Sequence, residues 1–327
     1  MLKAIQGPKS AEKFIEKTKS LSEERSESTR IYEVTDLNDR KDIDQVFFDL
    51  NQEIRRGDFA LISFENPLGR RQKIYKRFNP FFGFIYYNTI DLLLYRVLAR
   101  MRKTRKIFLR LTQGKNQAIS TPEVLGRVCS CNFDIESYQS QKGTTLVLIR
   151  KREEIREIPK SQQGIVIGLK RIGYQGKVIT VWKIRTMSPY SEFLQSYLLS
   201  KHGTMEDGDK IINDFRVTRW GKTLRKIWID EIPMLWNYLK GDLKLIGVRP
   251  LSKVKFQIYP KSLQAMRVQV KPGLLPPYYA DLPTNQLEFY ESEKRYTEKY
   301  LKAPFKTDVV YFLKIFYNII CKGHRSK

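Results

Sequence analysis

The stretch Trp220–Pro250 reads WGKTLRKIWIDEIPMLWNYLKGDLKLIGVRP. Two adjacent carboxylates, Asp230 and Glu231, stand in a run that is otherwise basic and apolar. Pro233 follows within three residues, and proline, lacking a backbone N–H, suits the first turn of a helix. The pattern predicts a break near residue 229 and a helix starting at Asp230. Ile232, Leu235, Trp236 and Leu239 then share one face at helical spacing, and Gly241 is placed to stop the helix. A short apolar run, Leu243 to Val248, leads to Arg249-Pro250. Asp230 has two readings. Aspartate is a favoured helix cap, and Glu231 in the first turn suits the helix dipole. Against this, Lys222, Arg225, Lys226, Lys240, Lys244 and Arg249 surround the pair in sequence, as an anionic substrate would require. Trp228 and Trp236 add bulky apolar surface.

Working outward, the 327 residues are enough for two domains and a real core. The formal charge is +25, which points to an anionic partner: nucleic acid, anionic lipid or phosphorylated substrate. Cys129 and Cys131 have no further Cys or His nearby, so they are not a zinc site, and three cysteines are not a disulfide framework. His202 and His324 lie far apart, which makes histidine catalysis a poor fit. Met1 to Arg30 is charged throughout, so no signal peptide is expected. No stretch of 18 apolar residues exists to span a bilayer.

Residues 1–40 read as a charged, loosely packed lead-in with weak helical periodicity around Ala11–Leu21. Residues 41–150 read as a small α/β domain. Ile43 to Ile54 has helical spacing, Phe59 to Phe64 is a buried strand, Thr121 to Ser130 a helix, and Asn132–Tyr138 with Thr144–Arg150 a hairpin. This block is Rossmann-like but lacks a glycine-rich nucleotide fingerprint, so no nucleotide cofactor is assigned. Residues 70–115 hold 13 Lys and Arg and a single acid, Asp91. Within them Phe81 to Ala99 is apolar and aromatic. It reads either as an interfacial helix on an anionic membrane surface or as a buried helix beside a basic loop. Residues 151–163 read as a charged linker. From Gly164, a hairpin with a turn at Gly173–Gly176 delivers Lys183 to Met187. Ser191–Ser200 is a short helix followed by a polar loop, His202 to Lys210. Helices are expected around Lys261–Arg267, Glu288–Leu301 and Asp308–Cys321, the last apolar on nearly every side and therefore buried or membrane-associated.

Several of these segments form one set. Lys183-Ile184-Arg185-Thr186-Met187, Asp214-Phe215-Arg216-Val217-Thr218, the run Gly221–Pro250 and Lys271-Pro272-Gly273 resemble the signature segments of the bacterial sugar transferases. These are the monotopic polyprenyl-phosphate phosphoglycosyl transferases, and the resemblance covers residues 164–320, about half the chain. It implies an α+β, membrane-associated catalytic domain of short helices with a β-hairpin over residues 164–327. It implies transfer of a phosphosugar from a UDP-sugar to a polyprenyl (undecaprenyl) phosphate through a covalent aspartyl-phosphosugar. That step would initiate exopolysaccharide, capsule or lipopolysaccharide O-antigen synthesis at the cytoplasmic face of the bacterial inner membrane. Asp230 would be the nucleophile and Glu231 its partner, both holding Mg²⁺. Lys183, Arg185, Arg216, Arg225 and Arg249 would bind substrate phosphate, since a guanidinium grips phosphate oxygens in pairs. A helix N-terminus at Asp230 would add backbone donors. Residues 100° apart on a helix would do different work. Two departures stand out. Nothing before Gly164 matches the re-entrant helix of that family. Its T-G-W-x-Q-x-x-G-R segment is replaced by Leu275 to Asp281, without the arginine. The competing readings are a non-catalytic family member that acts as a membrane-surface scaffold and, on charge alone, a nucleic-acid binder. No nucleic-acid-binding motif supports the latter, so no nucleic acid is expected. Oligomeric state is left open, a homo-oligomer included.

Overall fold

The computed structural model describes residues 3–4, 30–101, 103–162, 164–202 and 214–322. The periodicity around Ala11–Leu21 and the loop after His202 lie outside these residues. The chain divides into two units, one of residues 1–165 with 188–203 and one of residues 166–187 with 204–327.

The first unit is built on a five-stranded sheet of order β1-β2-β3-β5-β4. The strands are β1 (Lys3–Ala4), β2 (Ile31–Val34), β3 (Phe59–Glu65), β4 (Phe133–Gln141) and β5 (Thr144–Lys151). β2 lies inside the stretch read as a lead-in, and Leu37 just after it is fully buried. β2 and β3 are parallel and are joined by α1 (Ile43–Glu53), whose cap Asp42 accepts from the amides of Asp44 and Gln45. The rest of the sheet is antiparallel, whereas a Rossmann-like sheet would be parallel throughout. The cause is local. Lys142 and Gly143 both take positive φ, at 47° and 91°. Such a two-residue turn returns the chain directly and can only make antiparallel neighbours.

The helices of this unit continue with α2 (Pro67–Arg77), α3 (Pro80–Asn88), α4 (Arg105–Thr112), α5 (Thr121–Ser130) and α6 (Gln195–His202). Phe81–Ala99 is not one helix. α3 stops at Asn88, and a π-helical turn at Leu92–Val97 and a 3-10 turn at Leu98–Arg100 follow. Between them Asp91 is completely buried, with Arg70 and Arg96 donating to its two oxygens at 2.7 and 2.9 Å. The beginning of the expected linker is packed into this unit. The Lys151 ammonium is buried and donates to the Ile54 carbonyl at 2.7 Å, and the Ile155 amide donates to Asn51.

The second unit begins with the expected hairpin, β6 (Val166–Ile172) and β7 (Val178–Ile184). Next come α7 (Arg219–Lys226), α8 (Met234–Leu239), β8 (Lys244–Ile246), α9 (Lys253–Ile258), α10 (Lys261–Arg267), β9 (Gly273–Leu275), α11 (Tyr278–Asp281), α12 (Gln286–Lys302) and α13 (Pro304–Ile320). β8 and β9 pair in parallel. They approach so closely that a Cβ on Gly273 would sit 2.1 Å from the Gly247 nitrogen, which explains glycine at that turn. The core gathers Ile246, Val248, Val270, Tyr296, Tyr311 and Ile315. The Tyr296 hydroxyl is satisfied by the Ile246 carbonyl and Asp308. α13 buries only one stripe, Thr307, Tyr311, Ile315 and Asn318, and exposes Phe305, Leu313, Phe316 and Ile320. Among the described residues no helix is long and apolar enough to cross a membrane. The protein is thus a mixture of helix and small sheets, as the α+β expectation has it.

Candidate active site

Three of the singled-out segments meet in the second unit. The Thr218 amide donates to the Thr186 carbonyl at 2.9 Å, and Met187 forms a β-bridge with Val217. Thr218 then caps α7 through the Gly221 amide. A Cβ at Gly221 would lie 2.0 Å from the Thr186 oxygen, so only glycine lets α7 start this close. Arg225, one turn on, donates to the Thr186 hydroxyl at 2.9 Å. The spacing of Lys183–Met187, Asp214–Thr218 and Gly221–Arg225 is thereby the spacing of one packed corner.

After α7 the chain breaks at Trp228, whose φ is 57°. Ile229–Glu231 is a 3-10 turn, and the α-helix begins only at Met234. The expectation that Asp230 caps this helix is therefore corrected: its side chain caps nothing. The amides of Glu231 and Ile232 are taken by the carbonyls of Trp228 and Ile229 and offer no donors to a phosphate. Pro233 is the physical reason. Without an N–H it cannot close an α-turn onto Ile229, so the segment before it tightens into i→i+3 bonds. The expected apolar face of α8 exists, but Ile232, Leu235, Trp236 and Leu239 are all exposed, and Met234 and Asn237 are the buried positions. Gly241, with φ 77°, ends the helix as expected.

Asp230 is buried, while Glu231 beside it is partly exposed and receives the Lys183 ammonium at 2.6 Å. Burial lifts the Asp230 carboxyl above the usual aspartate value. Lys183 and Arg225 pull it down and Glu231 pushes it further up. Among the described residues no side chain donates a hydrogen bond to the Asp230 carboxylate. Arg225 lies in the field of Asp230, Asp214, Arg216 and Arg249, which places these five charges in one neighbourhood.

The expected phosphate ligands, and the other cations near the pair in sequence, do not all stand in the same condition. Arg216 is buried, with its guanidinium forked onto Asp214 at 2.9 and 2.7 Å. Lys244 is held by Asp308 at 3.1 Å, with its ammonium 3.1 Å from the centre of the Tyr300 ring. Burial draws its pKa down to about 8. Lys244 thus belongs to the core rather than to the carboxylate pair. Arg185 is half-buried on the segment after β7.

Two positions beside the candidate site escaped the sequence reading. Asn237 is fully buried and ties β7 to α8, accepting from the Trp182 amide at 3.0 Å and donating to the Thr180 carbonyl at 2.7 Å. It therefore sets where the strand carrying Lys183 sits. A polar residue among the apolar positions of a predicted helix was the available signal. Tyr278, in the segment that departs from the family pattern, lies within the field of Arg249 and Glu231. Its neighbour Tyr279 packs on Trp228 with ring centres 5.6 Å apart.

A metal can be weighed on the donor set alone. Among the described residues no group of three or more metal-ligating side chains occurs. Two adjacent carboxylates are nonetheless what Mg²⁺ takes from a protein when substrate phosphates complete its shell. Asp230 and Glu231 fit that arrangement.

The model of the bacterial sugar transferases matches residues 157–322. The chain belongs to this family. Relatives of this chain include the galactosyl transferase CpsE of Streptococcus agalactiae, 32% identical over 120 residues, 37% of this chain and 26% of that protein. The uncharacterized sugar transferase EpsL of Bacillus subtilis is 38% identical over 104 residues, 32% of this chain and 45% of that protein. The UDP-glucose:undecaprenyl-phosphate glucose-1-phosphate transferase of Klebsiella pneumoniae is 34% identical over 120 residues, 35% of this chain and 23% of that protein. The matched region thus spans less than half the length of each of these relatives.

Proposed function

We propose that this sugar transferase moves a phosphosugar from a UDP-sugar to a polyprenyl phosphate, undecaprenyl phosphate being the acceptor named in one relative. Asp230 is the nucleophile. One of its oxygens attacks the phosphorus that carries the sugar, the bond from that phosphorus to the UMP oxygen breaks, and UMP leaves with the electron pair. An oxygen of the polyprenyl phosphate then attacks the same phosphorus and frees the carboxylate. Two displacements replace one difficult encounter of two anions.

The observation that carries this reading is the state of Asp230: buried, raised in pKa and without a side-chain donor, next to a carboxylate that already has a lysine. Lys183 holds Glu231, which leaves the two acids distinct work. Arg225 and Arg249 add positive charge where the diphosphate would lie, and a low-dielectric pocket strengthens their effect. Arg216 acts through Asp214 to hold the corner in shape. Mg²⁺, bound by Asp230, Glu231 and phosphate oxygens, would supply charge neutralisation. The surroundings for a lipid acceptor are the cytoplasmic face of the inner membrane, and the exposed apolar stripes of α8 and α13 suit that setting.

The test is incubation of the protein with UDP-glucose or UDP-galactose, Mg²⁺ and undecaprenyl phosphate in detergent micelles. UMP release is expected, together with a phosphosugar adduct on Asp230 in intact-protein mass spectrometry when the acceptor is withheld. No UMP from any sugar nucleotide with folded protein would rule the reaction out.

A further inference from the structure

The first unit carries a surface that the transfer reaction does not explain. It lies on α2, α3 and the turns after them, outside the residues that match the family. α3 presents Phe81, Phe82, Phe84 and Ile85 at 68, 59, 59 and 42% exposure. At 100° per residue these four cover an arc of roughly 160°. The opposite side is already occupied. Gly83 lies on Tyr75, Tyr87 meets Tyr75 edge to face, and Tyr86 stacks on Phe78 at 5.0 Å. The Phe arc therefore has no place to fold inward. Beside it, at the end of α2, stand the exposed cations Lys76 and Arg77, with Arg71 one turn earlier.

Asp91 sharpens the charge picture. It is the sole acid in residues 70–115, and it is buried between Arg70 and Arg96. No carboxylate in this segment offsets the surface cations. An apolar arc beside uncompensated positive charge is complementary to an anionic lipid surface. A short helix cannot cross one: nine residues of α3 reach about 14 Å, against a hydrocarbon core of ~30 Å.

We propose that α3 and the cations at the α2–α3 corner form an interfacial docking surface for an anionic phospholipid bilayer, separate from the catalytic unit. The aromatic arc enters the headgroup boundary while Arg71, Lys76 and Arg77 meet the phosphates. The inference does not rest on the proposed reaction.

The full-length protein carrying Cys321→Ser is labelled with an environment-sensitive fluorophore at Phe82→Cys. Burial pushes the two remaining thiols up, Cys129 to about 12 and Cys131 to about 11, which keeps both out of the labelling reaction. On phosphatidylcholine vesicles containing 30% phosphatidylglycerol, the probe is expected to shift to the blue and to be quenched by nitroxide-labelled lipid. Lys76→Glu with Arg77→Glu should weaken vesicle binding about fivefold for each cation. Phe81→Ser with Phe84→Ser should abolish the shift while the thermal transition stays in place, since both side chains are exposed. Both double variants should keep UMP release in detergent, so this surface and the catalytic reading fail or survive separately. A probe that remains in water on vesicle-bound protein overturns the proposal, as does an equal shift at Gln141→Cys. A lipid-free shift that grows with protein concentration overturns it in favour of a second copy.

Discussion

Two buried aspartates, one in each unit, show how differently the same side chain is used. Asp91 has both oxygens engaged by Arg70 and Arg96. Asp230 sits near Lys183 and Arg225, yet the lysine is spent on Glu231 and the arginine on Thr186. The first carboxylate is compensated and serves as a clamp for a helical corner. The second lacks that compensation, and burial raises its pKa above the ordinary aspartate value. Burial alone does not distinguish structure from chemistry; the disposition of the neighbouring donors does.

Replacing each aspartate separates them most sharply. Asp230→Asn should cut UMP release on the order of 10⁴-fold or more, as loss of a nucleophile does elsewhere. The same change should stabilise the fold at neutral pH. The folded protein binds the Asp230 proton more tightly than the unfolded chain, so stability falls as pH rises from the ordinary value of 3.8 through the raised one. Asparagine removes that loss, and the two thermal transitions should converge in acid. Asp91→Asn should do the reverse: detergent activity persists while stability drops by roughly 3 kcal/mol, because two partly buried guanidinium groups lose their buried counter-charge. Chemical denaturation reads this directly, and a loss below 1 kcal/mol would show that the clamp is not needed.

Asn237→Ala probes the frame around Asp230. It orphans the Trp182 amide and the Thr180 carbonyl, at about 1–3 kcal/mol each, and should reduce activity by loosening the strand before Lys183. The smallest effect concerns pH. The acid limb of the single-turnover rate should lie above that of an ordinary aspartate. Lys183→Met should move it up and Glu231→Gln should move it down, because the two neighbours act on Asp230 with opposite sign. A limb that ignores both would place the titrating group elsewhere.

The hairpin β6–β7, the helix stop at Gly241 and the family segments were legible from residue type and spacing, since turns and helix stops depend on a residue and its near neighbours. The antiparallel course of β5 beside β3 was not, because that pairing joins residues some 85 positions apart. Asp230 was misread as a helix cap for a similar reason. Its first-turn pattern is the same for a cap and for a 3-10 turn, and the left-handed break at Trp228 with Pro233 beyond it selects the second.

What the sequence by itself determined is the family, because a motif preserves residue types in order along the chain. What only the tertiary structure decided is which charges remain available. Arg216 was withdrawn by Asp214, Lys244 by Asp308 and Asp91 by two arginines, while Asp230 was left exposed to its own burial cost. Pairing of charges is a matter of a few ångströms in space, and separation along the chain does not encode it.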